Sequence, residues 1–222
     1  QTAVGRIARG LLVSPSLDRV WIEGAEGRRR FLDRMTLSFL PDHAQLSLDY
    51  DKAMRERNRL LKDMVRDGHW YAALERRMAE TGVAIHANRL QALRDLAEAQ
   101  NGAQTAFPAA DLTLLPGELG MPETVEDAAQ ALADGRARDL AAGRTLMGPH
   151  RADLYGVYAA KGVLAKDCST GEQKALLVSL ICALGAQAWM TGTGPELFDT
   201  LGARAQYLHV TETDGVSTAV QP

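Results

Sequence analysis

The sequence predicts a mixed α/β protein in which an all-α arm is inserted between two α/β parts. Three observations predict this fold class. Two stretches of helical periodicity, residues 44 to 64 and 69 to 99, follow one another with Gly68 at the break between them. Short β-like runs occur only beyond Gly143. A capped and strongly apolar helix is expected from Ser169 onward.

The arm begins with two amphipathic helices. In the first, apolar residues recur at helical spacing with charges between them: Leu46, Tyr50, Ala53, Leu60 or Leu61, and Met64. In the second, the apolar stripe consists of Trp70, Leu74, Met78, Ile85, Leu93 and Leu96. Each helix has about 20 residues or more and is about 30 Å long at 1.5 Å per residue, so the two are expected to form an antiparallel hairpin.

The remainder of the chain is less regular. Residues 101 to 122 hold three prolines and three glycines without a sustained period, and we expect a loop there. A third helix is predicted with Thr124 as its N-cap, Asp127 near its third position and Gly143 just past its end. Further on, β-strands are predicted at residues 154 to 159, 188 to 191, 207 to 210 and 216 to 220, the last after an Asp214-Gly215 turn.

Composition and charge exclude several classes of protein. The 222-residue chain is 46% hydrophobic and 24% charged, which excludes a disordered or collagen-like protein. Its two cysteines, Cys168 and Cys182, lack metal-like spacing, and there is no long apolar run or signal-like start. We therefore expect a soluble cytoplasmic protein without a metal site of its own or a membrane partner. The net charge of −3 excludes a uniformly basic nucleic-acid coat, but seven arginines among residues 1 to 34 leave a local basic face open.

The sharpest local feature is the motif Ser169-Thr170-Gly171-Glu172-Gln173-Lys174, which precedes an apolar run over residues 175 to 181. One interpretation is a capping box: Ser169 accepts a hydrogen bond from the amide of Glu172, whose carboxylate reaches back, and an ordinary buried helix follows. A second interpretation adds a ligand. A Ser-x-Gly at a helix start leaves amides and the positive end of the helix dipole open toward a phosphate. The two interpretations are compatible.

Four further segments have distinctive sequences that can be compared with those of known families. They are Glu23-Gly24 with Arg28-Arg29-Arg30-Phe31-Leu32-Asp33, the helix pattern from Tyr50 to Lys62, Gly148-Pro149-His150-Arg151-Ala152-Asp153-Leu154, and the run from Gly185 to Thr193. The motif from Ser169 to Lys174 is similar to the Ser-x-Gly-Glu/Gln signature of ABC-type ATPases. In their order and context the five segments resemble the RecF family of bacterial DNA replication and repair proteins. The resemblance extends from about residue 12 to residue 210.

This resemblance implies an α/β ABC/SMC-type ATPase head of the P-loop NTPase class, with an inserted all-α arm, or lid, domain. Residues 1 to 38 would be the partial end of head lobe I, and residues 39 to 142 would be the helical arm. Residues 143 to 222 would be the C-terminal part of the head, which carries the signature motif.

The resemblance also implies ATP and Mg²⁺ as cofactors and an ATP-dependent homodimer. Ser169 would donate its hydroxyl and Gly171 its amide to a γ-phosphate bound mainly by the other protomer. Glu172, Gln173 and Lys174 would order the helix start or reach that protomer. The implied function is binding of DNA at single-strand gaps or junctions during replication, recombination, repair and the SOS response. Weak ATPase activity and cooperation with RecR and RecO in loading recombinase are implied as well.

The sequence departs from the family pattern at two places. It contains no Gly-Lys dipeptide for a phosphate-binding loop and no Asp-Glu dipeptide for the acidic strand that holds magnesium, so the catalytic residues stay unassigned. Either the polypeptide lacks these segments, or the sequence joins segments of a longer chain, with the joint around Ala183 and Leu184 the most suspect. The second explanation is favoured because the apolar face of residues 175 to 181 would otherwise be exposed. The first would make the chain a nucleotide-independent helical protein-interaction module.

Four arginines are candidates for contact with DNA. Arg28, Arg29 and Arg30 either touch DNA phosphate or form a solvated helix start that pairs with the acids of residues 23 to 33. Arg57 falls inside the apolar stripe of the first arm helix, where an unpaired charge is costly. It therefore either pairs within the arm or contacts DNA or a partner.

Overall fold

The computed structural model describes residues 10–13, 20–102, 107–185, 187–190, 198–213 and 215–220, and the chain divides into two compact units, residues 1–190 and 191–222. In chain order the described helices and strands of the first unit are β1 (Gly10–Val13), α1 (Ala25–Phe39), α2 (His43–Lys62), α3 (Gly68–Gly102), β2 (Ala110–Leu115), α4 (Val125–Asp134), α5 (Arg136–Ala142), β3 (Asp153–Tyr158), β4 (Val163–Leu164), α6 (Thr170–Leu184) and β5 (Gln187–Met190).

The two long arm helices are confirmed as α2 and α3, within a few residues of the predicted bounds. Their apolar stripes meet in one buried cluster, which α4 and the segment after α5 complete: Tyr50, Ala53, Met78, Ile85, Leu132 and Met147. The 35 residues of α3 span about 50 Å, so this helix also reaches the second core, where Leu93 and Leu96 are buried.

The third predicted helix is interrupted. Thr124 caps its start as expected, because its hydroxyl accepts a 3.1 Å hydrogen bond from the amide of Asp127. The helix breaks at Gly135, however, and continues as α5, which ends at Gly143 in a left-handed conformation. The predicted single helix is therefore two short ones.

The loop predicted over residues 101 to 122 is wrong in its centre, where β2 forms. Strand β2 pairs antiparallel with β3, and β3 pairs antiparallel with β4, to make a three-stranded sheet. The alternate residues Ala110, Leu112 and Leu114 pack against the core, the period-2 pattern of a half-buried strand. The same alternation is present in the sequence, but the prolines and glycines on either side of it are typical of a loop.

The second core lies between α1, α3, α6 and the β2–β3–β4 sheet. Helix α1, which the sequence did not predict, buries Phe31, Leu32 and Met35 along one face. Helix α6 is apolar on nearly all sides and supplies a large share of the core: Leu176, Leu177, Leu180, Ile181 and Leu184. The expectation that the face of residues 175 to 181 would be exposed without the missing head segments is therefore wrong, because these neighbours bury residues 176 to 181.

Two smaller sheets complete the described structure. Strands β1 and β5 pair in parallel, Gly10 opposite Gln187, which confirms the predicted strand at 188 to 190; residue 191 lies outside the described residues. In the second unit a 3₁₀-helix (Asp199–Arg204) precedes the antiparallel pair β6 (His209–Thr213) and β7 (Val216–Val220). Strand β6 begins two residues later than predicted. Asp214 of the predicted turn is not among the described residues, and the three-part domain division stays a prediction.

Candidate functional site

The start of α6 is a capping box. The Ser169 hydroxyl accepts from the amide of Glu172 at 3.4 Å, and the Glu172 carboxylate accepts from the Ser169 amide at 2.8 Å and from its hydroxyl at 2.7 Å. Lys161, on the turn between β3 and β4, forms an ion pair with the same carboxylate. That ion pair, followed by the Ser169 hydrogen bonds, lowers the pKa of Glu172 to about 2. The capping interpretation of the sequence is confirmed.

This helix start is open to solvent. Ser169, Thr170 and Gly171 are exposed, although most of the helix behind them is buried. A Cβ built on Gly171 would meet no atom within 4 Å, so a ligand has free access to its backbone. An exposed hydroxyl and an uncovered amide at the positive end of a helix dipole suit a phosphate oxygen.

The last two residues of the motif, Gln173 and Lys174, are less exposed than this helix start. Gln173 is only 3% exposed, and its side-chain amide donates to the carbonyls of Lys166 (3.2 Å) and Cys168 (2.9 Å). It orders the segment before the helix, in line with the first of the two roles predicted for Gln173, and a part for Gln173 in nucleotide binding to the other protomer stays a prediction. Lys174 is half-buried, and its role stays a prediction.

The implied cofactors fit this chain unequally. The exposed start of α6 fits one side of an ATP phosphate, since it offers a hydroxyl and an amide without a covering side chain. Mg²⁺ finds no comparable site: the part of the chain that the structure describes contains no group of three or more His, Cys, Asp or Glu residues arranged to hold a metal. No residue of the described ranges is therefore assigned to the metal.

The three consecutive arginines of α1 have three different environments. Arg28 donates from Nε and Nη2 to the two carboxylate oxygens of Asp153, at 2.7 and 2.8 Å. This bidentate pair raises the pKa of Arg28 and occupies its fork, which corrects the prediction that Arg28 contacts DNA. Arg29 is half-buried and donates to the Ala152 carbonyl at 2.9 Å. Arg30 is 67% exposed, 4.0 Å from Glu26.

Arg57 is completely buried inside the arm. Its guanidinium donates to Glu75 (3.2 Å), to Asp139 (2.7 Å), and to Thr145 Oγ1 (2.8 Å). Glu75 also holds Arg136, so the network ties α2, α3 and α5 together. The prediction of a DNA contact at Arg57 is wrong, and pairing within the arm, the other interpretation of its position, is what the structure contains.

Hydrogen bonds of His150 connect the arm to the segment before β3. The Thr145 carbonyl accepts from Nε2 of His150 at 3.1 Å, which leaves Nδ1 to accept from the Tyr50 hydroxyl at 2.7 Å. Both nitrogens are therefore satisfied by the neutral ring. Burial, together with the nearby positive charges of Arg151, Arg29 and Arg89, lowers the pKa of His150 to about 4.

We expect this histidine to make the protein less stable in mild acid. The unfolded ring titrates near pH 6.5 and the folded one near 4, so the unfolded state binds more protons between these values. Stability is highest above pH 6.5 and falls as the pH drops toward 4, by about 2.5 kcal/mol at pH 4.5. Urea unfolding at pH 7.5 and 4.5 measures the loss, and His150→Gln should reduce it by that amount. Equal pH dependence in both proteins would contradict the assignment.

Comparison with known proteins places these features in a family. No protein-family model matches the chain. The RecF protein of Brucella abortus (strain 2308), described as a DNA replication and repair protein, is 43% identical over an alignment of 249 residues that covers 91% of this chain and 65% of that protein. The protein of the same description from Mesorhizobium japonicum is 41% identical over 248 residues, again 91% and 65%. The chain is a RecF-like protein.

Solved RecF structures agree with this in fold. A structure described as the recombination mediator protein RecF-ATP in the RecFOR pathway matches with a TM-score of 0.71, at 18% identity, over 95% of this chain and 67% of that one. The RecF-ATPrS structure of the same description matches with a TM-score of 0.68, at 17% identity, over 97% and 70%. The fold is accordingly that of the α/β RecF head with its helical arm.

The chain spans about two thirds of the length of these RecF relatives, and the match contains an internal shortfall. The alignment to the Brucella abortus protein covers 249 residues, whereas 91% of 222 is about 202 residues. About 47 positions of that relative therefore face no residue of this chain within the matched region.

Several features of this RecF-like chain were not visible in the sequence. The acidic partners of Arg57 lie 18 and 82 residues away along the chain. The pairing of Lys161 with Glu172 depends on the β3–β4 turn meeting the start of α6.

None of the helices in the described ranges is long and apolar enough to cross a membrane.

Proposed function

We propose that this chain carries the arm and the signature half of a RecF-like protein that acts in DNA replication and recombinational repair. The observation that carries the proposal is the exposed Ser169 and Gly171 at the start of the buried helix α6. The curated relatives are described as DNA replication and repair proteins, and a similar solved chain is described as RecF-ATP. Together these support ATP as the ligand of the helix start.

The nucleotide would be shared between two copies of the protein. Gly171 would donate to the γ-phosphate from its amide, and Ser169 from its hydroxyl, which would turn to the phosphate from the Glu172 carboxylate that it contacts at 2.7 Å. Glu172 would keep the helix start ordered through the Ser169 amide. ATP binding would then favour the dimer, because the site is completed only across the interface. The dimer would close on DNA at a single-strand gap or junction, with Arg29 and Arg30 the candidates for backbone contact. Weak ATP hydrolysis would open it, and RecR and RecO would assist it in loading recombinase.

The Ser169→Arg substitution is expected to abolish ATP-linked dimerisation. Arginine places a bulky cation at the exposed helix start and removes the hydroxyl, so the second protomer's nucleotide cannot seat there. Static light scattering of the full chain with and without ATP and Mg²⁺ measures the association.

Thr124→Arg is the matched control. Thr124 is also a capping residue at a helix start, and its loss should cost about 1 kcal/mol of stability, as at Ser169. Dimerisation with ATP should survive in that variant. A wild-type protein that stays monomeric with ATP bound, or equal dimerisation by the Ser169 variant, would contradict the ATP clamp.

A second candidate function is a nucleotide-independent helical module that binds another protein. The internal shortfall of about 47 positions against the Brucella abortus relative favours it, as does the absence of Gly-Lys and Asp-Glu dipeptides. The intact mass of the purified polypeptide decides between the two. A mass near 24.0 kDa with no ATP-dependent change in light scattering supports the module. A substantially larger mass would mean that the polypeptide contains the missing segments, and it would support the ATP clamp.

A further inference from the structure

Two arginine side chains hold the segment from Pro149 to Asp153 by its carbonyl oxygens. Arg89 donates from Nη1 to the Pro149 carbonyl at 2.7 Å, and Arg29 donates from Nη1 to the Ala152 carbonyl at 2.9 Å. Because these acceptors are neutral, neither contact compensates the charge of the guanidinium. The segment therefore gathers positive charge beside its backbone.

The carboxylates close to this segment are already paired. Asp33 accepts from Nε and Nη2 of Arg89 at 2.8 and 3.0 Å, and Asp153 accepts from both sides of the Arg28 fork. Burial would raise the pKa of Asp33, but hydrogen bonds from His43 and Arg89 outweigh it and lower that pKa. These acids are thus ionised and occupied.

Arg29 and Arg151 are left without an ion-pair partner among the described residues, although Asp153 and Glu26 act on Arg29 from a longer distance. No described carboxylate lies within 4.0 Å of either guanidinium, and the Arg151 side chain is exposed. Arg29 keeps Nε and Nη2 available, since only its Nη1 donates to a described residue. A half-buried arginine without a counter-charge is costly, and a bound anion would remove that cost.

Local electrostatics agree with this geometry. Burial lowers the pKa of Arg29, the charges of Arg89 and Arg151 lower it as well, and those of Asp153 and Glu26 oppose the shift without reversing it. The same three arginines act on His150 in the same direction. Arg29, Arg89 and Arg151 therefore lie close enough to one another and to His150 to interact electrostatically.

We propose that Arg29 and Arg151 together bind a phosphate group. Guanidinium forks match the geometry of phosphate oxygens and donate to them in pairs, which a lysine or a single arginine does less well. Arg29 would supply a half-buried guanidinium held at the Ala152 carbonyl, and the exposed Arg151, the residue next to Ala152, would supply the second. This extends the proposed DNA-binding function to a defined site that includes Arg151, and a small anion tests it independently of DNA.

Pyrophosphate is the first probe, added to the full chain at constant ionic strength. Its apparent dissociation constant, followed by thermal stabilisation, is expected to rise about tenfold in Arg29→Gln and in Arg151→Gln. Arg94→Gln is the control, because Arg94 is an exposed arginine of α3 whose partner is the neutral Gln91. Arg151 has no described internal partner, so its variant should fold normally, and Arg29→Lys should recover part of the binding.

The source of the phosphate is tested next with oligonucleotide and with ATP. If it belongs to nucleic acid, each glutamine variant should reduce the slope of log affinity against log salt by about 0.7 to 0.9. If it belongs to a free nucleotide, ATP affinity should fall and the DNA slope should stay unchanged. The proposal is overturned if native protein gains no stability from pyrophosphate, or if Arg151→Gln binds it as Arg94→Gln does. Failure of DNA binding with intact pyrophosphate binding would instead remove the proposed function and leave the phosphate site.

Discussion

Gly148→Ala is expected to lower the free energy of unfolding by about 3 to 5 kcal/mol, one of the two largest effects predicted for this chain. Gly148 has φ 133° and ψ 179°, a conformation essentially restricted to glycine, and an added Cβ would lie 2.2 Å from the Tyr50 hydroxyl. Tyr50 would have to move away, which leaves Nδ1 of the half-buried His150 without its donor. Chemical denaturation monitored by circular dichroism measures the loss.

Two further variants separate the causes of this effect. Gly143→Ala is the control, since Gly143 also has a positive φ, 62°, but a Cβ added there would meet nothing within 4 Å; about 1 kcal/mol is expected. Adding Tyr50→Phe to Gly148→Ala removes the clashing oxygen and should recover the steric part. If Gly148→Ala lowers the free energy of unfolding no more than Gly143→Ala does, the Tyr50–His150 hydrogen bond does not stabilise the protein as proposed.

Arg57→Met is expected to destabilise the protein by about 3 to 5 kcal/mol. Methionine approximates the volume of the side chain but leaves Asp139 buried without its 2.7 Å counter-charge. Glu75 suffers less, because Arg136 still pairs with it. The cost therefore comes chiefly from one uncompensated buried carboxylate, and urea unfolding at neutral pH measures it.

The matched control is Arg59→Met on the same helix. Arg59 is 83% exposed and pairs with Asp63 at 3.8 Å, so its loss should cost less than about 0.5 kcal/mol. Combining Arg57→Met with Asp139→Leu removes both charges and should restore most of the lost stability. If Arg57→Met costs no more than Arg59→Met, the buried network does not stabilise the arm.

Features governed by near neighbours in the chain were predictable. The capping box at Ser169 and the N-cap at Thr124 depend on residues three positions apart, and both helices begin where the spacing predicts. The long helices α2 and α3 were readable for the same reason, since their apolar stripes repeat every turn. Strand β2 shows the limit: its alternation is six residues long and lies between proline and glycine signals, so the local evidence was ambiguous.

The candidate sites divide along the same line. The exposure of Ser169 and Gly171 follows from their place at the start of a helix, which is a local property. Whether Gln173 faces a ligand or the core was not decidable from spacing, because the carbonyls that it holds are positioned by the preceding 3₁₀ turn. Arg28, Arg29 and Arg30 are identical in sequence terms, and only the approach of Asp153 and Ala152 distinguishes them.

By itself, the sequence determined the helical arm, the capped apolar helix with its open start, and the resemblance to RecF proteins, because each depends on residue types at short spacing. Tertiary structure alone decided that Arg57 is neutralised inside the arm, that residues 176 to 181 are covered, and that Arg29 and Arg151 have no ion-pair partner among the described residues. Charge pairing depends on distances of a few ångströms between residues that can be more than 100 positions apart. Such distances are set by packing of the whole unit, which no local pattern encodes.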